Sequence, residues 1–229
     1  MSSLKWIWDL CFIFVFLIIV GLILYIIGSY RAPYVPPSNC KYNDIKHVFK
    51  TGDVLLFKNS NIMAKIACSV DPSPFLHMAL VVIGPDGRIM LCETDNSKAI
   101  RRDGVFMVDF ESKMYNYPGS DFCLLQFEGV PEITFETCLN LFKKYDPKYT
   151  FQKKPWGWLS LAIKQDWYNK LIGESNSLLC IEMVSLMLRD LNIIKSDTNI
   201  HQISPSNYFN QTIPLNDGIK IKPPIYFKY

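Results

Sequence analysis

Seven cysteines (Cys11, Cys40, Cys68, Cys92, Cys123, Cys138 and Cys180) and only three histidines (His47, His77 and His201) occur in this chain, so any thiol chemistry assisted by an imidazole has few pairs to draw on. Cys180 lies near the start of LLCIEMVSLMLRDL at 178–191, whose apolar residues recur at helical spacing. In the first turn of a helix, unpaired amide N–H groups and the positive end of the dipole favour a thiolate and a developing oxyanion. Ser177, just upstream, is the expected N-cap. The competing reading is a small core residue, since Leu179 and Ile181 flank the thiol.

A nucleophilic thiol needs a rigidly mounted base. His77 opens the strand-like run HMALVVI at 77–83, which holds its backbone while the ring emerges at the strand end. His47, in the polar approach to the first strand, and His201, in a loop beyond the Cys180 helix, have weaker mounting. The imidazole in turn needs a carboxylate to fix its tautomer. Gly84-Pro85-Asp86-Gly87 is strong turn chemistry, with Pro85 setting φ and Gly87 free to take the left-handed conformation. A three-residue loop at 85–87 pairs Gly84 with Arg88, sets His77 opposite Asp95 and places Glu93 diagonally on the same face. Glu93 ends the apolar strand IMLCE and ranks above Asp95, although a one-residue slip of register would exchange their faces.

The elements that must carry these residues are segregated along the chain. Strand-like runs fill the first half: VLLF at 54–57, HMALVVI at 77–83, IMLCE at 89–93, VFMVDF at 105–110 and DFCLLQF at 121–127. Helical periodicity marks 133–145, with Phe135, Cys138, Leu139 and Phe142 on one stripe, and 178–191. The expectation is an α+β domain, an antiparallel sheet packed on helices. The intervening KKPWGWLSLAIKQDW, with Trp156, Trp158 and Trp167, reads as part helix and part surface loop. The tail GIKIKPPIYFKY, broken by Pro223-Pro224, is expected to form at most an edge strand.

Upstream, residues 10–27 form an eighteen-residue run without charge, close to the length that spans a hydrocarbon core. Trp6 and Trp8 before it, and Tyr25 and Tyr30 at its other end, occupy headgroup positions. The flanks match a signal-peptide cleavage site only weakly, so residues 1–30 read as an uncleaved anchor. Lys5 alone precedes the run, whereas Arg31, Lys41 and Lys46 follow, a bias that puts the C-terminal domain on the cytoplasmic side. Residues 31–39, with three prolines, read as a stiff spacer, and 40–229 as one domain without internal repeats.

Composition narrows the function class. Of 229 residues, 49% are hydrophobic and 20% charged, which excludes a disordered chain; a net charge of +3 argues against a dedicated nucleic-acid binder. The cysteines show no CxxC pairing and no HxxEH motif occurs, so reduced thiols fit better than a disulfide framework or a zinc site, and no cofactor is implied.

The order of the motifs resembles the circularly permuted papain-like thiol hydrolases, relatives of NlpC-type cell-wall peptidases and of lecithin:retinol acyltransferase. The matching pieces are Thr51-Gly52-Asp53-Val54 before a strand, His77 opening the next, a hairpin ending in Glu93-Thr94, Leu179-Cys180-Ile181-Glu182-Met183-Val184 on a helix, and Ile203-Ser204-Pro205-Ser206-Asn207-Tyr208-Phe209 downstream. The chain departs from the family at Ile181, where a small or polar residue is frequent. The resemblance implies Cys180 as nucleophile, His77 as general base and acid, Glu93 as orienting acid and Asp53 as a structural turn residue. Similar proteins occur in bacteria and large DNA viruses, so a viral or host membrane is the expected setting.

On this reading the chain is a membrane-anchored thiol hydrolase cleaving an amide in a peptide or protein conjugate. Phospholipid deacylation or acyl transfer by the same triad is the alternative, favoured if Lys143, Lys144, Lys148, Lys153 and Lys154 beside Trp156 and Trp158 meet anionic lipid. A membrane-tethered binding module without chemistry is a third.

Overall fold

The uncharged N-terminal run forms one continuous helix, α1 (Ser2–Arg31), and its segment Asp9–Arg31 is long and apolar enough to cross a membrane. The computed structural model describes residues 2–38, 40–58, 62–97, 102–115, 121–146, 150–151 and 177–229. After α1 come β1 (Cys40–Lys41), α2 (Tyr42–Ile45), β2 (Val54–Lys58), α3 (Ile62–Cys68), β3 (Phe75–Ile83), β4 (Ile89–Ser97), β5 (Arg102–Asp109) and α4 (Phe110–Met114). The chain continues through β6 (Asp121–Leu125), β7 (Phe127–Glu128), α5 (Phe135–Tyr145), β8 (Thr150–Phe151), β9 (Ser177–Leu178), α6 (Cys180–Asp190), α7 (Pro205–Phe209), β10 (Lys220–Ile221) and β11 (Ile225–Lys228). The expected Trp-rich helix and loop lie outside the described residues.

Among the described residues, seven strands form one sheet in the order β1-β11-β6-β2-β3-β4-β5, antiparallel except where β1 runs parallel to β11. Alternation along the strands divides its side chains between two cores. Val54, Leu56, Met78, Leu80 and Cys92 pack with Met183, Val184 and Met187 of α6. Leu55, Phe57, Ala79, Val81 and Leu91 pack with Tyr42, Phe49, Phe110 and Met114. The result is a mixed α+β architecture, a sheet packed on helices.

The hairpin between β3 and β4 has the register that its turn chemistry predicts. Ile83 pairs with Ile89 and Leu80 with Cys92, Gly84 N donates to the Arg88 carbonyl at 2.8 Å, and Gly87 has φ +79°. The run expected as one strand at 121–127 is split. Gln126 turns inward, its Nε2 donating to the Val48 carbonyl at 2.8 Å and to Asp53 Oδ2 at 2.9 Å, and this interrupts the ladder between β6 and β7. The tail is also more central than expected: β11 lies between β1 and β6, because Pro223-Pro224 falls in the link before it rather than within it. The proline-rich segment after α1 lies along the domain, with Val35 against the core and Ser38 Oγ donating to Asp121 Oδ1 at 3.1 Å.

Candidate active site

Cys180 is the first residue of α6, as its sequence position predicts, but Ser177 is not the cap. Ser177 belongs to β9, and Leu179 occupies the N-cap position, its amide donating to Glu182 Oε2 at 2.8 Å. Glu182 thus satisfies from the third helical position one of the donors that the helix start leaves open. By helix geometry the next amides, starting with that of Cys180, have no intrahelical acceptor.

β3 meets this helix end through a β-bulge. Phe57 pairs with His77 but Lys58 pairs with Phe75, so Leu76 is the extra residue on β3. The Cys180 thiol donates to the Leu76 carbonyl at 3.7 Å. One residue on, the His77 imidazole is hydrogen-bonded to Glu93 and stands within electrostatic reach of the Cys180 side chain. Its Nε2 lies 2.5 Å from Glu93 Oε2; a carboxylate only accepts, so Nε2 carries the hydrogen of that bond. The ring also packs against Phe57, with centroids 4.9 Å apart. His77 is 16% exposed and Glu93 is fully enclosed, while Cys180 is 8% exposed. Cys180, His77 and Glu93 therefore come together, with the diagonal placement of Glu93 that the hairpin register requires. Asp95 pairs with Gly104 of β5, and its backbone alone is described. His47 is exposed in the turn at 46–48.

A fourth residue completes the line, and nothing in the spacing of the sequence pointed to it. Lys113 Nζ donates to Glu93 Oε1 at 2.5 Å, and the lysine side chain is only 9% exposed. It comes from the short helix α4, capped by Asp109 Oδ1 accepting from the Ser112 amide at 2.9 Å. Glu93 is thereby held between an ammonium and an imidazole, one partner on each oxygen. The only signal available beforehand was a lysine within a largely apolar stretch.

Burial and neighbouring charge set the proton affinities of His77 and of the buried thiols. Burial alone would lower the affinity of His77 for its proton, but the neighbouring Glu93 and Cys180 prevail and hold it well above the ordinary 6.5. Burial pushes the thiols of Cys123 to about 12 and Cys138 to about 11, and raises that of Cys92 further, leaving them poor nucleophiles at neutral pH.

The other resemblance motifs bear on support. Asp53 accepts from the Lys50 amide at 2.8 Å and from Gln126, and burial raises its carboxyl to about 6 despite those bonds. Ser204 Oγ and the Ser206 amide donate to buried Asp71 at 3.1 and 3.0 Å, tying α7 to the turn that precedes β3. His201 lies beside α6 with Nδ1 2.8 Å from Glu182 Oε1. Among the described residues, no group of three or more His, Cys, Asp or Glu side chains is placed to share a metal ion. Of the basic stretch, Lys143 and Lys144 lie in the last turn of α5, and Lys144 pairs with Asp190; Lys148, Lys153 and Lys154 lie outside the described residues.

Neither a family model nor a curated protein matches the chain. Among solved structures it is similar to the metalloprotein yiiX from Escherichia coli O157:H7 (DUF1105), over 76% of this chain and 89% of that one. The identity is 13% and the TM-score 0.42, a likeness too loose to carry an argument about fold or activity.

Proposed function

We propose that the chain is a membrane-anchored thiol hydrolase of the permuted papain-like type, cleaving an amide through Cys180, His77 and Glu93. The observation that carries this reading is a helix-borne thiol within electrostatic reach of the His77 ring, which is bonded to Glu93, itself buried and backed by Lys113. Nucleophile, base and orienting acid come from three different elements, with base and acid in hydrogen-bond contact.

The chemistry follows from those contacts. The Cys180 proton passes to His77, and the sulfur attacks the carbonyl carbon, forming a C–S bond as the carbonyl electrons move to oxygen. The amides at the start of α6 stabilise that oxyanion. His77 then gives its proton to the leaving nitrogen as the C–N bond breaks, leaving a thioester. Water attacks the thioester, His77 takes the water's proton, and the acid departs with the thiol restored. Throughout, Glu93 accepts from Nε2, fixes the tautomer and offsets the imidazolium charge.

α1 is the proposed single-pass anchor, with the domain on the cytoplasmic side by the basic excess after the span. A second substrate reading, a phospholipid acyl ester attacked by the same triad, is favoured by one observation: the end of α1 packs directly on α3, the element before the His77 strand, rather than standing apart from the domain.

The test is labelling of the full chain in detergent with a limiting thiol reagent across pH, comparing wild type with Cys180→Ala and His77→Ala. The expected result is label on Cys180 that persists near pH 6 to 7, where an ordinary thiol is almost wholly protonated, and that weakens without His77. Slow labelling indifferent to His77 overturns the hydrolase reading in favour of a binding module.

A further inference from the structure

Three contacts join the last turns of α1 to α3 and its end. A Cβ at Gly28 would stand 1.6 Å from the Lys65 carbonyl oxygen, so the helices cross where only glycine fits. Lys65 Nζ donates to Tyr25 Oη at 3.1 Å and lies 5.0 Å from the centre of the same ring. Arg31 Nη1 donates to the Ser69 carbonyl at 2.8 Å. Since Tyr25 matches Lys65 and Arg31 matches Ser69, the two helices run in the same direction. Stepping back from Lys65 to Ile62 is therefore a step of about 4.5 Å along α1 toward its uncharged run, which ends at Ile27.

That step leads to apolar surface. Ile62 is 66% exposed, and Ile66, four residues on along α3, is half-buried on the same side. Lys65, between Ile62 and Ile66 in sequence, turns its charge onto the Tyr25 ring, as cationic side chains do at a headgroup boundary.

We propose that α3 is a second membrane contact, its Ile62-Ile66 face entering the interfacial layer of the bilayer that α1 crosses. This rests on the reading of α1 as an anchor. The partner is the bilayer because α1 fixes the depth: an apolar stripe clasped to the final turns of a membrane span meets acyl chains and headgroups. From α3 the chain passes through 69–74, tied to α7 by Asp71, directly into the strand that bears Leu76 and His77. The bilayer is thereby linked to the thiol's end of the sheet through ordered, hydrogen-bonded chain.

The test uses full-length protein in phosphatidylcholine nanodiscs with a photo-crosslinking side chain at position 18, 62 or 217 in turn. Ile18 lies within α1, and Asp217 is fully exposed on the domain. Acyl-chain adducts are expected at 18 and 62, with the yield at 62 several-fold above that at 217. Adducts at 18 with none above background at 62 overturn the proposal and leave the anchor standing. Their absence at 18 overturns the anchor and this proposal together. Neither outcome touches the thiol chemistry, which the labelling experiment decides separately.

Discussion

Two histidine-carboxylate pairs flank the Cys180 helix, and they are built differently. His77 and Glu93 face each other across a hairpin at 2.5 Å, with Glu93 fully enclosed and Lys113 on its other oxygen. His201 and Glu182 meet at 2.8 Å where a 3-10 turn passes the start of α6, and the His201 side chain is 47% exposed. Glu182 spends its second oxygen on the Leu179 amide. Only His77 has the thiol as a partner shaping its protonation; His201 answers to Glu182, burial and Arg189. The same two residue types thus hold a proton beside the thiol in one place and fasten a helix end in the other. What separates them is enclosure and the third partner.

The sharpest way to break this contrast is at Lys113. Lys113→Met leaves one oxygen of an enclosed carboxylate without its ammonium, and chemical denaturation should show a loss of about 3–5 kcal/mol. A loss below about 1 kcal/mol, the range of exposed pairs, would mean that the two carboxylates are not distinguished by burial.

Next in size is the effect on the thiol. His77→Ala should slow alkylation of Cys180 at about pH 6.5 by about 10²-fold, the ratio expected between an activated thiolate and an ordinary thiol titrating near 8.5. His201→Ala should leave that rate within about twofold. Equal losses in the two variants would erase the functional difference between the pairs.

Glu182→Ala tests the capping role, with an expected cost of about 1 kcal/mol in denaturant unfolding and no change in the pH dependence of Cys180 alkylation relative to wild type.

The smallest effect is on pH dependence at His201. The hydrogen bond from Glu182 leads in raising its proton affinity above the ordinary 6.5, against burial. A raised histidine stabilises the fold fully below about pH 6.5, and that contribution fades as pH rises through the folded-state value. Thermal unfolding of His201→Ala should therefore fall below wild type by more at pH 5.5 than at pH 8.5, by less than about 1 kcal/mol because the pair is half exposed. A difference independent of pH would remove the ion pair from the account.

Much of the site was legible because its determinants are local. Pro85 and Gly87 define the turn, the turn sets the hairpin register, and the register puts Glu93 diagonal to His77. Helical periodicity likewise places Cys180 in a first turn. Residue preference points to Ser177 as the N-cap, whereas backbone pairing draws Ser177 into β9 and leaves the open amide to Glu182.

The sequence by itself determined the features set by spacing along the chain: an uncharged run long enough for a membrane, strands that alternate between two faces, and a hairpin whose loop dictates which side chains meet. Tertiary structure alone decided the partners that are remote in sequence. Lys113 reaches Glu93 because α4 packs under the sheet; Leu76 offers its carbonyl to the thiol because a bulge separates the pairings of Phe57 and Lys58; Gln126 leaves its strand for Asp53; and Gly28 admits α3 onto α1. The physical reason is one of range. Turn and helix preferences act over a few residues, whereas which polar group satisfies a buried carboxylate, or which helix crosses at a glycine, depends on how whole elements pack.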